Sequence, residues 1–426
     1  MAFTFNYLIS RKSGYMPGLS SVEIINDTTM QLNFTEGKAF TAINSMANFV
    51  TVRPEHIWSK VEGEYSEYQG EDARIGCGPY KVTEVDEAAQ ILTLEAAADS
   101  YMGKEITVRK LVVRTYDSAD ALVMALRTGE VDAMYNYSNS LNPTMAASIT
   151  GIEDLDPGMS NNPGNYQLVF GFNKQPTDDL AFRKAVRAAL DYELLRVTIG
   201  GEDGEIAGTG IVPPPNKGFD DTLPKLAQDV EGAKAILDEA GYVDTNGDGW
   251  REMPDGSEMN VLITPQYNKT RMALNLRIAE VMQSNLADIG VQTTLDEESV
   301  RNSDYATEVR KTGSYELYIG YCTPGVAMYD TAFMYITYNP VNPWGTCTLP
   351  EFVTAYEAKL ASGSYEEYNA AMKDLQKVAD EQAIGLALCW DKAYFPYRTD
   401  NYAGWVNYPG WGVINHETWF NLRTIG

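Results

Sequence analysis

The segment Asp244-Thr-Asn-Gly-Asp-Gly-Trp-Arg-Glu-Met-Pro-Asp255 is where residue type and spacing come nearest to a chemical site. Side-chain oxygens at positions one, three and five (Asp244, Asn246, Asp248), the Trp250 carbonyl at seven and an acid at twelve (Asp255) suit a hard cation such as calcium. Two features weigh against a metal. Asp255 reaches less far than a glutamate would, and Pro254 and Gly256 predict a hairpin between Trp250–Met253 and Glu258 onward, not a second helix. The competing reading is an Asx-rich turn whose glycines supply positive φ. That reading is preferred, so no cofactor is expected, with calcium the one candidate.

Other chemistry is scarce. The two histidines, His56 and His416, nearly exclude a histidine-built metal centre and confine histidine acid–base catalysis to two positions. Cys77, Cys322, Cys347 and Cys389 have no C-x-x-C spacing. A Cys322–Cys347 disulfide is allowed by the separation, but buried thiols are the more common outcome. There is no P-loop, no G-x-S-x-G elbow, no H-E-x-x-H, and no G-x-G-x-x-G after a strand. Carboxylates are plentiful, and a glycosidase-like pair stays open as an acidic-hydrolase alternative. For any given pair, a solvated surface is the simpler account.

The elements around these residues belong to an ordinary globular chain. Of 426 residues, 44% are hydrophobic and 22% charged. That is enough for a large core and two or three domains. Lys plus Arg number 33 and Asp plus Glu 59, a formal charge of −26, which repels phosphate backbones and argues against nucleic acid as a partner. No apolar run approaches the roughly 18 residues that span a bilayer. The opening residues lack the basic stretch of a signal peptide.

Alternation predicts hairpins at Val22–Phe34 and Tyr80–Glu95. A strand at Val108–Val113, a helix capped at Asp117 or Ser118 and ended by Gly129, and a strand at Val131–Met134 predict a parallel β-α-β unit. The Gly-, Pro- and Asn-rich stretch 157–165 reads as a crossing between domains. A single helix is expected from Asp179 to Arg196, and a long amphipathic one up to Ile289. Strands are expected at Gln167–Phe172, Val261–Thr264, Val291–Leu295, Tyr315–Tyr321 and Ile384–Cys389. Mixed α/β lobes follow.

In their order, several segments resemble one family. They are Gly76-Cys-Gly-Pro-Tyr-Lys81, Ala119-Asp-Ala-Leu-Val-Met-Ala-Leu-Arg-Thr-Gly-Glu-Val-Asp132, Phe172-Asn-Lys-Gln-Pro176, Phe182-Arg-Lys-Ala-Val-Arg-Ala-Ala-Leu-Asp191, Ala233-Lys-Ala-Ile-Leu-Asp-Glu-Ala-Gly-Tyr242, Ile289-Gly-Val291 and Tyr315-Glu-Leu-Tyr318. Together they resemble the family 5 solute-binding proteins of peptide-type ABC importers, the oligopeptide, dipeptide and nickel group. The resemblance implies a two-lobed, periplasmic-binding-protein-like α/β fold (class II, Venus-flytrap) with mixed sheets. It implies a remnant of an accessory domain and lobe 1 strands over 1–74, lobe 1 over 75–165, lobe 2 over 166–391, and a return to lobe 1 over 392–426. The family's opening segment and export signal are expected to be missing from this chain.

The function so implied is non-catalytic. A peptide or similar small solute is held between two lobes and delivered to a membrane permease, outside the cell, on a lipid anchor or in the periplasm, by a monomer. In the family's peptide binders an Asp just after the strand corresponding to Tyr315–Tyr321 pairs with the ligand's amino terminus. Without a gap, Pro324 takes that place here, with Asp330 a substitute only if the loop is rearranged. Expected ligand contacts are the loop Asn136, Tyr137, Ser138, Asn139 and Ser140, the strand residues Tyr166 and Phe170, and Tyr321, Thr323, Asp330, Trp344 and Trp390. For each aromatic residue, core packing is the competing account. Loss of the Asp favours an oligosaccharide or other uncharged solute as the alternative ligand. A sensory receptor of the same fold is a further alternative.

Overall fold

Three runs of the chain, largely apolar, are buried on both faces and set the architecture. Asn165–Phe170, Leu317–Cys322 and Gly385–Cys389 are buried at every position. Strands of this kind need cover on both faces. The computed structural model describes residues 1–11, 16, 18–35, 37–40, 42, 46, 50–62, 65, 68–98, 106–136, 139–323, 333, 336 and 345–425. Residues 1–35, 46–160 and 393–426 form one compact unit, and residues 36–45 and 161–392 form the other. The expected crossings lay after residues 165 and 391; these fall after Ser160 and Lys392, and residues 36–45 join the second unit.

The second unit is built on a five-stranded mixed sheet. Its order is Thr293–Leu295, Val261–Pro265, Leu317–Cys322, Asn165–Phe170, Gly385–Cys389. The first two pairings are parallel and the last two antiparallel. Alternate side chains enter separate cores. Tyr166, Leu168, Phe170, Leu317, Ile319 and Tyr321 pack with helices Leu180–Ala189, Tyr192–Gly200, Val230–Glu239 and Met272–Asp288. Val169, Tyr318 and Cys322 pack on the other face with helices Ser303–Thr312, Pro350–Leu360 and Tyr365–Gln382.

The single helix expected over Asp179–Arg196 is two. Leu190 is extended, and the Asp191 carboxylate accepts the Leu194 N–H, so it caps a new helix. Gly171 marks a close approach. Its N–H donates to the Glu316 carbonyl at 2.8 Å, and a Cβ there would lie 2.1 Å from the Tyr315 carbonyl oxygen. Gly171→Ala is therefore expected to cost roughly 1–3 kcal/mol in urea unfolding. An unchanged midpoint would show that the two strands can part without loss.

The first unit contains the hairpin Leu19–Asn26/Thr29–Phe34 and an antiparallel sheet of Tyr80–Asp86, Ile91–Ala96 and Lys110–Arg114. Helix Ala119–Thr128 begins where the Ser118 hydroxyl accepts the Ala121 N–H and ends at Gly129 with φ 76°. The expected β-α-β unit does not form. Residues 131–134 make no parallel strand; Ala133 forms one antiparallel bridge to Tyr397, and the Met134 N–H donates to the Pro396 carbonyl. The C-terminal return takes the place that a parallel neighbour was expected to fill. Val123, Leu126, Met134, Leu141, Ile149, Leu155 and Phe395 form this unit's core. Among the described residues, no helix is long and apolar enough to cross a membrane.

Candidate functional site

In the sheet of the second unit, four of five strands end at the same edge: Pro265, Leu295, Cys322 and Cys389 are their last residues. Carboxyl ends of this kind commonly bind ligands in open α/β sheets, because backbone groups and side chains diverge there with no next strand to cover them. The polar residues of this unit converge on that edge.

Tyr166 and Tyr321 face each other across adjacent strands, in register, with ring centroids 5.0 Å apart and edge to face. Gln266, one residue past its strand, accepts the Tyr321 N–H through Oε1 at 2.9 Å and donates its own N–H to the Ile319 carbonyl at 2.7 Å. Arg271 precedes helix Met272–Asp288 and lays its guanidinium 3.6 Å from the Tyr321 ring centroid. This is a cation–π contact that fixes the ring from outside. Asn162 is 4% exposed and bridges two groups. Its Nδ2 lies 3.0 Å from the Tyr321 hydroxyl and 3.0 Å from Asp391 Oδ1.

Asp391 is the exceptional group. It follows Trp390 beyond the Gly385–Cys389 strand and is only partly exposed. Desolvation pushes its carboxyl up to about 7, against the opposing pull of the Asn162 amide, its own backbone N–H, Arg271 and Lys392. Burial likewise holds the Tyr166 and Tyr321 hydroxyls well above the usual tyrosine range. Cys347 is pushed up to about 12 and Cys389 above its ordinary value, again by burial. Cys322, Cys347 and Cys389 are free and buried, so the disulfide alternative is not realised. The Cys347 and Cys389 thiols and the Tyr166 and Tyr321 phenols are held protonated. They suit hydrogen bonding, not nucleophilic attack. The charges acting on Asp391 are those of Arg271 and Lys392, and among the described residues no carboxylate is hydrogen-bonded to it.

Of the expected contacts, Tyr166, Tyr321 and Trp390 lie in one cluster, and Thr323 follows the strand that carries Tyr321. Trp390 is 4% exposed, and its Nε1 has no acceptor among the described residues. Phe170 is fully buried in the core, at the opposite end of its strand from Tyr166. Asn136, Asn139 and Ser140 belong to the first unit. There the Asn136 carbonyl accepts the Asn139 N–H at 3.1 Å, closing a turn. Tyr137, Ser138, Asp330 and Trp344 lie outside the described residues. Asn162, Gln266, Arg271 and Asp391 were not expected. The signal for Asp391 was an acid directly after a fully apolar strand; the others carry none.

The calcium-type loop has a different ligand set from the one its spacing predicts. Asp244, Asp248 and Glu252 bring carboxylate oxygens within 4.8 Å of one another. Asp255 instead accepts the Ser257 N–H and hydroxyl in its own turn. A bridge between Glu252 and Glu258 folds Glu252 inward in place of Asp255. Loop donors already occupy these acids. Asp244 accepts the Gly247 and Gly249 N–H groups, Asp248 the Trp250 N–H, and Glu252 the Thr245 N–H and the Asn246 amide. The arrangement is that of consecutive Asx turns.

Residues 1–344 match the family described as bacterial extracellular solute-binding proteins, family 5. The chain belongs to this family. It is 28% identical over 284 residues to the oligopeptide-binding protein AppA of Bacillus subtilis, covering 64% of this chain and 49% of the relative. The chain spans about half the length of the curated relatives it matches. A crystal structure of the periplasmic oligopeptide-binding protein of Thermotoga maritima superposes with a TM-score of 0.81 at 20% identity, covering 100% of this chain and 84% of that one. A mannohexaose-bound structure of the same protein gives 0.75 at 19% identity, covering 99% and 83%. The fold is that of the periplasmic binding proteins.

Proposed function

We propose that the chain binds a peptide or similar small solute without altering it and delivers it to the permease of an ABC importer. The observation that carries this reading is the cluster of Tyr166, Tyr321, Asn162, Arg271 and Asp391 at the carboxyl edge of the sheet, in a chain of this family. It offers aromatic faces, an amide and two charged groups, and it lacks an activated nucleophile or an acid pair. Such a set recognises a solute and leaves its bonds intact. In this reading the ligand favours the conformation in which it makes the most contacts. The protein works outside the cytoplasm, lipid-anchored or periplasmic, as a monomer.

A second reading keeps the fold and exchanges the ligand. The Thermotoga protein was crystallised with mannohexaose. Thermal-shift measurement against tripeptide mixtures and against manno-oligosaccharides separates the two. A ligand at 100 times its Kd adds roughly 2.7 kcal/mol of stability. A rise in Tm with peptides alone is expected. A response to the sugars alone would replace the peptide reading, and release of hydrolysed product would end both.

A further inference from the structure

We infer that Asp391 is the anchor for a protonated amine of the solute, so that the chain selects ligands carrying an ammonium group. The inference rests on the solute-binding reading above and names the chemistry that reading leaves open. A carboxylate taken out of water normally has a cation beside it or a full set of donors. Asp391 has neither. Its Oδ1 accepts one hydrogen bond, from Asn162 Nδ2 at 3.0 Å, and among the described residues no lysine or arginine lies within ion-pair distance of it.

The two nearest cations are directed elsewhere. Lys392 Nζ is held by Asn161 Oδ1 at 2.8 Å and Glu205 Oε1 at 3.1 Å. Arg271 lies over the face of Tyr321 and acts on the Tyr166 hydroxyl. Both bias the field at Asp391 without neutralising it. Asp391 as a residue keeps intermediate exposure. Beside it stand the Tyr321 hydroxyl, linked through Asn162, and the Tyr166–Tyr321 ring pair. An ammonium arriving there gains a charge-assisted bond to Asp391 and apolar contact for the carbons next to it. A quaternary cation would lack the N–H donors.

The position matters because Pro324 stands where the resemblance would place an amine-binding acid. Asp391 supplies the acid from a different strand end of the same unit. The test compares tripeptides with a free amino terminus, the same tripeptides N-acetylated, and a panel of small non-peptide amines. Binding is read by calorimetry to the wild-type chain and to Asp391→Asn, whose folding is checked by circular dichroism. Wild type should bind the free-amine peptides at least about tenfold more tightly than the acetylated ones, and D391N should lose that preference. Equal binding of both forms by wild type, or a preference that survives in D391N, overturns the inference and leaves the peptide reading standing. Binding of non-peptide amines alone, lost in D391N, keeps the anchor and removes the peptide. No binding of any of the three sets by wild type removes both. If the variant does not fold, Asp391→Glu, which keeps the charge and shifts it by one methylene, should weaken free-amine binding more than binding of the acetylated peptides, and an unchanged ratio overturns the inference.

Discussion

Arg183→Ala should lower the unfolding free energy by about 3–5 kcal/mol. Arg183 is 1% exposed, and among the described residues no carboxylate lies at ion-pair distance; carbonyl oxygens solvate it. Nε lies 3.2 Å from both the Gln382 and Ala383 carbonyls, Nη2 3.0 Å from Gln382, and Nη1 3.1 Å from Thr177 and 2.7 Å from Asp178. The guanidinium carbon also sits 4.6 Å from the Phe172 ring centroid. Gln382 is the last residue of helix Tyr365–Gln382, whose terminal carbonyls carry partial negative charge and have no helical donors. One side chain thus closes that helix end and ties it to helix Leu180–Ala189. Alanine would leave a cavity and orphan four carbonyls together. Lysine keeps the charge but not the fork, so Arg183→Lys should recover only part of the loss. Urea unfolding of the three proteins checks the order. A cost below about 1 kcal/mol for alanine would mean that water replaces the guanidinium without penalty. Because Gly385–Cys389 begins three residues after Gln382, the variant should also weaken ligand binding through Trp390 and Asp391.

Local patterns read from the sequence survive where the cause is local. The Ser118 cap and Gly129 stop of one helix depend on a few neighbouring residues, and both are visible as residue types. The buried strands stand out because cover on both faces favours apolar residues at successive positions, as in Leu168-Val-Phe170 and Leu317-Tyr-Ile319. Where pairing is distant, the same letters mislead. Val131-Asp-Ala-Met134 alternates as a parallel strand would, yet its partner is Tyr397, at the far end of the chain. The break at Leu190–Asp191 was hidden by an apolar stripe that continues in phase across it, although Asp191 is an ordinary capping residue. In the loop after Gly241, spacing nominated Asp255, and a hairpin bridge put Glu252 in its place. Of the candidate site, the tyrosines were visible as aromatic residues at strand ends. Asn162 and Arg271 were not, and Asp391 showed only as an acid after the apolar run ending at Trp390. The three come from segments more than a hundred residues apart.

Between pH 4 and pH 7 the wild-type protein should lose stability relative to Asp391→Asn. The unfolded carboxyl titrates near 3.8 and the folded one near 7. Across that window the unfolded chain has released a proton that the folded chain still holds, so raising the pH favours unfolding. The penalty is absent below the unfolded value, grows through the window and is constant above 7. The gap converts to roughly 4 kcal/mol at most, and partial exposure of Asp391 makes the observed figure smaller. Desolvation is the main cause. Arg271 from the helix start and Lys392 from the same strand end oppose it, as does the Asn162 amide, while Tyr166 and Tyr321 present neutral hydroxyls. Other acids titrate over the same range, so the quantity to measure is the wild-type minus D391N difference in urea unfolding at several pH values. That difference should fall with pH and level off above 7; a flat difference would place Asp391 in water. The same desolvation shapes ligand binding. An ammonium that pairs with Asp391 draws the carboxyl back to its ionised form, so the free apo protein takes a cost near neutral pH that the complex does not. Ligand-induced stabilisation should therefore increase from pH 6 to 8 in wild type and stay level in D391N, because a strained anion is relieved only where there is an anion to relieve.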